Sequence, residues 1–318
     1  MLKDNISKGQ EKIQLYLEGY FKNLQKQDKY YGEKRLCDAM QYSVLNGGKR
    51  FRALLVYWSG ECVGLTDDIL NPVAASLEIV HAFSLIHDDL PAMDDDDLRR
   101  SLPTCHIKFD EATAILAGDA LCSEAFKLMA SIKNIKNIKN INTQNNQYID
   151  HENIINAIEY FADAIGPNGM VAGQSMDVNN KDISDINSLN NLHNLKTGKL
   201  IQASILLPLI LIGIDKTKNK LFKIMEQYAK TLGIAFQIKD DLLDKTSSTQ
   251  KLGKRVQKDS DMDKITYPEI LGIEKCKSQL GKYTQDAINY INQAELLINN
   301  KNLNNLKSLA TWNLEREN

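Results

Sequence analysis

Phe236-Gln237-Ile238-Lys239-Asp240-Asp241-Leu242-Leu243-Asp244 decides what kind of fold to expect. Gln237, Asp240, Asp241 and Asp244 are spaced i, i+3, i+4 and i+7, one continuous stripe of an α-helix. Phe236, Ile238, Leu242 and Leu243 flank that stripe with apolar side chains, so it borders a core rather than open solvent. Gly233 lies one turn earlier on the same stripe and leaves room beside the backbone. Carboxylates in such a setting are costly to desolvate unless something strongly positive joins them. Hard divalent cations shared with a diphosphate fit, because magnesium takes oxygen ligands from carboxylate and phosphate alike.

A second acidic run, His87-Asp88-Asp89-Leu90-Pro91-Ala92-Met93-Asp94-Asp95-Asp96-Asp97-Leu98-Arg99-Arg100, has the same character. Asn71 as N-cap and Pro72 as first residue predict a helix from about Asn71 to Asp89, which Pro91 stops. His81, Ser84 and Asp88 share one face of it, with His81 about 10 Å along the axis from Asp88. Beyond the proline the chain can curl and return Asp94. His87 has no second histidine at ligand spacing, so packing beside the site is expected of it. Asp95, Asp96 and Asp97 are expected to cap or to pair with Arg99 and Arg100.

Working outward, helical periodicity recurs almost everywhere and alternating strand patterns are absent, so the expected class is all-α. The expectation is a single domain over residues 1–318, a bundle of about ten or more helices. Another helix is expected from about Lys220 to Asp244. Residues from about 131 to 150 hold Ile-Lys-Asn three times before an Asn-rich stretch, and a flexible low-complexity loop is expected there. Asn179–Asn194 reads as a milder version.

Composition narrows the partners. Net charge is −2, so no global field recruits nucleic acid or an anionic membrane. The most apolar stretch, Leu200–Ile214, is short for a span and reads as a buried core helix. No signal peptide is evident, and five scattered cysteines without a CxxC pair suit a reducing compartment. A soluble, cytoplasmic protein without a membrane span is expected. Positive charge is local instead. Asn46-Gly47-Gly48-Lys49-Arg50-Phe51-Arg52 reads as a loop gripping phosphate oxygens. Lys196-Thr197-Gly198-Lys199 interrupts a helical pattern, which can expose a carbonyl and a hydroxyl, and Lys254 and Lys264 follow the second cluster.

Taken in order, Gly-Gly-Lys-Arg-x-Arg, Asp-Asp-(x)4-Asp, Lys-Thr-Gly, Phe-Gln-x-x-Asp-Asp-x-x-Asp and Gly-Lys resemble the trans-prenyl diphosphate synthases. Ile86–Asp119 resembles the bacterial-type farnesyl diphosphate synthases (geranyltranstransferases), and the likeness runs from about Lys34 to Arg316. It implies a helical bundle around a central cavity, usually a homodimer. The implied reaction condenses isopentenyl diphosphate with dimethylallyl or geranyl diphosphate to give farnesyl diphosphate.

Residue by residue, the resemblance implies that Asp88, Asp89 and Asp94 hold magnesium from one wall and Asp240, Asp241 and Asp244 from the other. About three Mg2+ ions are implied, with Mn2+ as a substitute. Arg99, Lys196, Lys254 and Lys264 resemble grips on the allylic diphosphate. Lys49, Arg52, His81 and Arg100 resemble a separate, metal-free isopentenyl site. Thr197 and Gln237 would place oxygen dipoles near the allylic cation. Phe83, with Ser84 beside it, resembles the bulky residue that limits chain length. Ala53 stands where proline often follows the first motif, and Ser101 where glycine often follows the arginine pair. Trp312–Arg316 loosely matches the family's ending, which implies a lid-closing Arg316. The rival readings are a geranylgeranyl or geranyl diphosphate synthase, a non-catalytic regulatory subunit, and a terpene cyclase. Intact carboxylates disfavour the second, and Asp-Asp-x-x-Asp in the second cluster disfavours the third.

Overall fold

A computed structural model describes residues 2–26, 34–135, 149–179, 183, 185–214, 216–246, 265–298, 300 and 302–316. Apart from a two-residue hairpin, its regular structure is helical, as the periodicity predicts. The described residues fall into two compact units, one chiefly 3–57 and 67–136, the other chiefly 58–66 and 137–318.

The first unit contains α1 (Leu2–Lys26), α2 (Lys34–Leu45), the start of α3 (Phe51–Cys62), α4 (Asp67–Asp88), α5 (Cys105–Lys108) and α6 (Glu111–Ser131). Helix α4 is its centre, with Ile69, Leu70, Val73, Ala74, Leu77, Ile79 and Val80 fully buried. It is long and apolar enough to cross a membrane, yet 78% of that window is buried inside the protein. Ser76 fastens it to α6, donating to Ala125 O at 2.9 Å as well as to Pro72 O at 2.8 Å. Gly118 on α6 allows the close approach, since a Cβ there would stand 2.2 Å from His87 Nε2. The helix starts at Asp67, not at Asn71 as the sequence suggests. Asp67 and Asp68 favour the positive end of the helix dipole, and Asn71 Oδ1 accepts from Tyr57 Oη instead of capping.

After Asp88 the chain turns at Pro91, and the Asp94 amide donates to Asp88 O at 2.9 Å. A minimal hairpin follows, β1 (Leu98–Arg99) against β2 (Leu102–Pro103). Its turn residues Arg100 and Ser101 have φ of 55° and 63°, the left-handed geometry of a tight hairpin turn. The strain at Ser101 is the physical reason glycine suits that position. Ser101→Gly is expected to raise stability by up to about 1 kcal/mol in urea denaturation, because glycine takes positive φ without a Cβ clash.

The second unit contains α7 (His151–Ile165), α8 (Met170–Asn179), α9 (Ile186–His193), α10 (Lys199–Leu211), α11 (Lys220–Thr246), α12 (Tyr267–Leu271), α13 (Ile273–Glu295) and α14 (Leu303–Glu315). Leu200 to Leu211 is buried throughout, the core helix expected of that stretch. Gln202 is accommodated by donating to Asn194 Oδ1 at 2.8 Å. The Asn-rich run is not uniformly loop-like. Asp185 and Ser188 form a capping box that starts α9, and Leu189 and Leu192 bury its apolar side. Most of the Ile-Lys-Asn segment lies outside the described residues. Its opening, Ile132–Asn134, forms a 3-10 turn.

Candidate active site

In the first unit α4 delivers His81, Phe83, Ser84 and Asp88 toward its C-terminus, and Asp89 follows in the turn just beyond it. Asp89 is buried and pairs with Arg99 of the hairpin, whose Nε lies 3.0 Å from Oδ1 and whose Nη2 also contacts that oxygen. Arg99 also stands 3.7 Å from Asp96. Burial pushes the Asp89 carboxyl up, and the hydrogen bond and charge of Arg99 oppose this. The cleft beside them is lined by Asn46, Ile86, Asp89, Arg99, Arg100 and Thr104. Phe83 is half-buried and stacks edge-on against His87, ring centres 5.0 Å apart. His87 Nε2 lies 3.1 Å from Ile115 O, which matches the packing role expected of it.

Positive charge gathers around His81. Gly47 and Gly48 have φ of 75° and 112°, and the Arg100 guanidinium lies across Gly48, where a Cβ would come within 2.7 Å of Cζ. Arg100 Nη1 donates to Gly47 O. Burial, then the charge of Arg50, brings the Arg100 guanidinium down to about 10. His81 feels Arg52, Arg100, Arg99 and Arg50 together. Burial first and those four charges second hold its imidazole well below its ordinary range, so it is neutral near pH 7. Because the folded value lies below the unfolded one, the unfolded chain binds more protons in acid. The contribution is complete above about pH 6.5 and is lost as pH falls through it. Urea denaturation at about pH 7.5 and about pH 5.5 is expected to show a smaller acid loss in His81→Asn than in the wild type.

In the second unit the interruption at Lys196-Thr197-Gly198 is a π-helical turn, Asn194–Gly198, between α9 and α10. Such turns widen a helix and recur at functional positions. Two glycines make room for it. A Cβ on Gly233 of α11 would stand 3.3 Å from Gly198 Cα, and one on Gly173 of α8 would stand 2.1 Å from Lys196 N. Gly173→Ala is therefore expected to cost about 1–3 kcal/mol in urea denaturation by forcing the turn away.

The side chains of that turn reach the acidic stripe. Thr197 Oγ1 donates to Gln237 Oε1 at 3.3 Å, and Gln237 Nε2 donates to Asp241 Oδ1 at 2.8 Å. Asp241 Oδ2 accepts from Tyr267 N at 3.0 Å and lies 3.8 Å from His193 Nε2. His193 stacks on Tyr267, and burial brings its imidazole down to about 3. Lys196 Nζ donates to Asp177 Oδ2 at 2.7 Å. Asp240 Oδ1 meets Arg316 Nη2 at 2.5 Å, with the guanidinium 4.4 Å above the Phe236 ring. Asp244 is buried on the same helix.

Several of these partners escape the sequence reading. Asp177 and Gln174 sit on α8, where Gly173 and Asp177 are one helical turn apart beneath the π-turn, a spacing that would have marked them. The amide of Gln174 makes no hydrogen bond among the described residues. Lys254 and Lys264 lie outside the described residues. Among the described residues no three His, Cys, Asp or Glu side chains form a ready-made metal cage. The donor chemistry still suits a hard cation, because each cluster offers carboxylate oxygen. Each also holds a guanidinium, Arg99 on Asp89 and Arg316 on Asp240, the kind of positive partner such carboxylates require.

The polyprenyl synthetase family model matches residues 33–300. The chain belongs to the polyprenyl synthetase family. Among polyprenyl synthetases of known activity, the farnesyl diphosphate synthase of Haemophilus influenzae is 39% identical over 287 residues, 90% of both chains. That of Escherichia coli is 40% identical, over 88% of this chain and 89% of its own. A chloroplastic geranylgeranyl pyrophosphate synthase of Catharanthus roseus is 39% identical over 80% of this chain and 67% of its own. A geranyltransferase structure from Legionella pneumophila superposes with TM-score 0.82 at 29% identity, covering 100% of this chain and 97% of that one. One from Helicobacter pylori, complexed with magnesium and isoprenyl diphosphate, gives 0.79 at 28% identity, covering 98% of each.

Proposed function

We propose that this polyprenyl synthetase is a magnesium-dependent farnesyl diphosphate synthase. It joins isopentenyl diphosphate to dimethylallyl and then geranyl diphosphate. The observation that carries this reading is the segregation of charge along α4. Carboxylates Asp88 and Asp89 stand at its C-terminal end, while His81, two turns earlier, feels the charges of Arg52, Arg100, Arg99 and Arg50. Two chemically different grips suit two diphosphates, of which only one should ionise. A terpene cyclase handles a single diphosphate and has no use for the second grip.

In this reading Asp88, Asp89 and Asp94, with Asp240, Asp241 and Asp244, hold magnesium, about three ions, with manganese able to substitute. The bound metal supplies Lewis-acid neutralisation of the leaving diphosphate. Arg99, Lys196, Lys254 and Lys264 grip that diphosphate, and the allylic C–O bond breaks with its electron pair leaving on oxygen. Thr197 and Gln237 aim oxygen dipoles at the allylic cation. Lys49, Arg52, His81 and Arg100 hold isopentenyl diphosphate, whose double bond supplies the electrons of the new C–C bond. A proton then departs to the released pyrophosphate. Phe83 and Ser84 limit the length of the product.

A homodimeric working form belongs to the same reading, since the family resemblance implies one. A cytoplasmic location is supported by five free thiols. The test is incubation with isopentenyl and geranyl diphosphates plus magnesium, then phosphatase treatment and chromatographic sizing of the alcohols. Farnesol is expected. Geranylgeraniol would favour the longer-chain rival, and no elongation would favour a regulatory subunit.

A further inference from the structure

Among Lys49, Arg50 and Arg52, Arg50 is the buried cation, 6% exposed. Its φ is 52°, a left-handed backbone that a side-chain-bearing residue keeps only when its surroundings hold it there. Its guanidinium is buried, with Nη2 donating at 2.8 Å both to Val44 O at the end of α2 and to Gln14 Oε1 on α1. Nη1 meets Glu78 Oε2 of α4 at 3.3 Å, where both side chains are 5% exposed or less. The other oxygen of Glu78, Oε1, accepts from the Ala53 amide at 3.1 Å, in the first turn of α3. Gln10 Nε2 completes the set by donating to Lys49 O at 2.9 Å.

Ala53 occupies the position at which the resembling synthases often carry proline. Proline has no amide hydrogen, so this second Glu78 bond is open only to a chain with another residue there. The last loop residue, Arg50, and the first turn of α3, through Ala53, are thereby tied to one buried carboxylate. That carboxylate also lies one helical turn before His81.

We propose that Glu78 is a positioning residue for isopentenyl diphosphate, acting through Arg50 and the Ala53 amide to set the loop end that carries Lys49 and the first turn of α3 that carries Arg52. This rests on the assignment of Lys49, Arg52, His81 and Arg100 to the isopentenyl site. Glu78→Gln retains an acceptor for Ala53 but removes the charge that balances buried Arg50, so the loop loses its fixed course. The allylic grips are untouched.

Steady-state kinetics of Glu78→Gln and Lys49→Ala, with circular dichroism of each, tests the inference. Glu78→Gln is expected to raise KM for isopentenyl diphosphate about tenfold or more, with kcat and KM for geranyl diphosphate within about twofold. An unchanged isopentenyl KM, or equal change in both substrates' constants, overturns the positioning role. A raised KM in Lys49→Ala beside a wild-type value in Glu78→Gln overturns that role alone. Wild-type values in both overturn the site assignment and the role with it. Should Glu78→Gln fail to fold, Ala53→Pro and Gln14→Leu each remove one bond of the same network. Proline is tolerated in a first helical turn. Each is expected to raise the isopentenyl KM about threefold or more, and wild-type values in both would overturn the proposal.

Discussion

Asp240→Asn is expected to lower kcat by about a thousandfold or more, with little loss of fold. A hard cation on a departing diphosphate supplies several kcal/mol of transition-state stabilisation, and each 1.36 kcal/mol is about tenfold in rate. Asparagine keeps the shape of the side chain but not its charge. The Asp240 side chain is 41% exposed, so its exchange leaves the apolar side of α11 intact. Asp88→Asn should behave alike if both clusters serve one ionisation. Rapid-quench single-turnover kinetics measures the effect at the chemical step. A loss below about tenfold in either variant would remove that cluster from the ionisation.

Phe83→Ala is expected to shift the main product from fifteen to twenty carbons, read by chromatography of the dephosphorylated alcohols. A phenyl ring occupies roughly the room of one isoprene unit, so its removal would open space for one more condensation. The ring is half-buried and meets His87 edge-on, so the stability cost should be about 2–3 kcal/mol, short of that for a fully buried phenylalanine. Farnesol as sole product would place the floor of the cavity elsewhere.

What the sequence discloses and what it conceals divides along physical lines. The stripe Gln237–Asp244 was legible because a helix repeats every 3.6 residues, and α11 spans it from Lys220 to Thr246. The burial of Leu200–Leu211 was legible because Leu200–Ile214 is the most apolar run of the chain and short for a span. The start of α4 was misplaced, because Asn71 and Pro72 imitate a cap while the acidic pair Asp67 and Asp68 sets the true beginning. The π-turn at Asn194–Gly198 could be seen only as an interruption, since i→i+5 bonding leaves no periodic trace. Contacts between distant positions were out of reach altogether. Arg316 meets Asp240 across 76 positions of chain, and Glu78 meets Arg50 across 28. Local spacing carries no record of such pairs. Asp177 beneath Lys196 is intermediate, for Gly173 four residues before it was a visible hint of close approach.

The most direct test of carboxylates that hold hard cations on an allylic diphosphate is calorimetric titration with the thiolo analogue of geranyl diphosphate, which resists ionisation. Tight binding is predicted with magnesium present, weakened about a hundredfold or more by a chelator or by Asp88→Asn or Asp240→Asn. Equal affinity with and without the metal, in the wild type, would contradict the account.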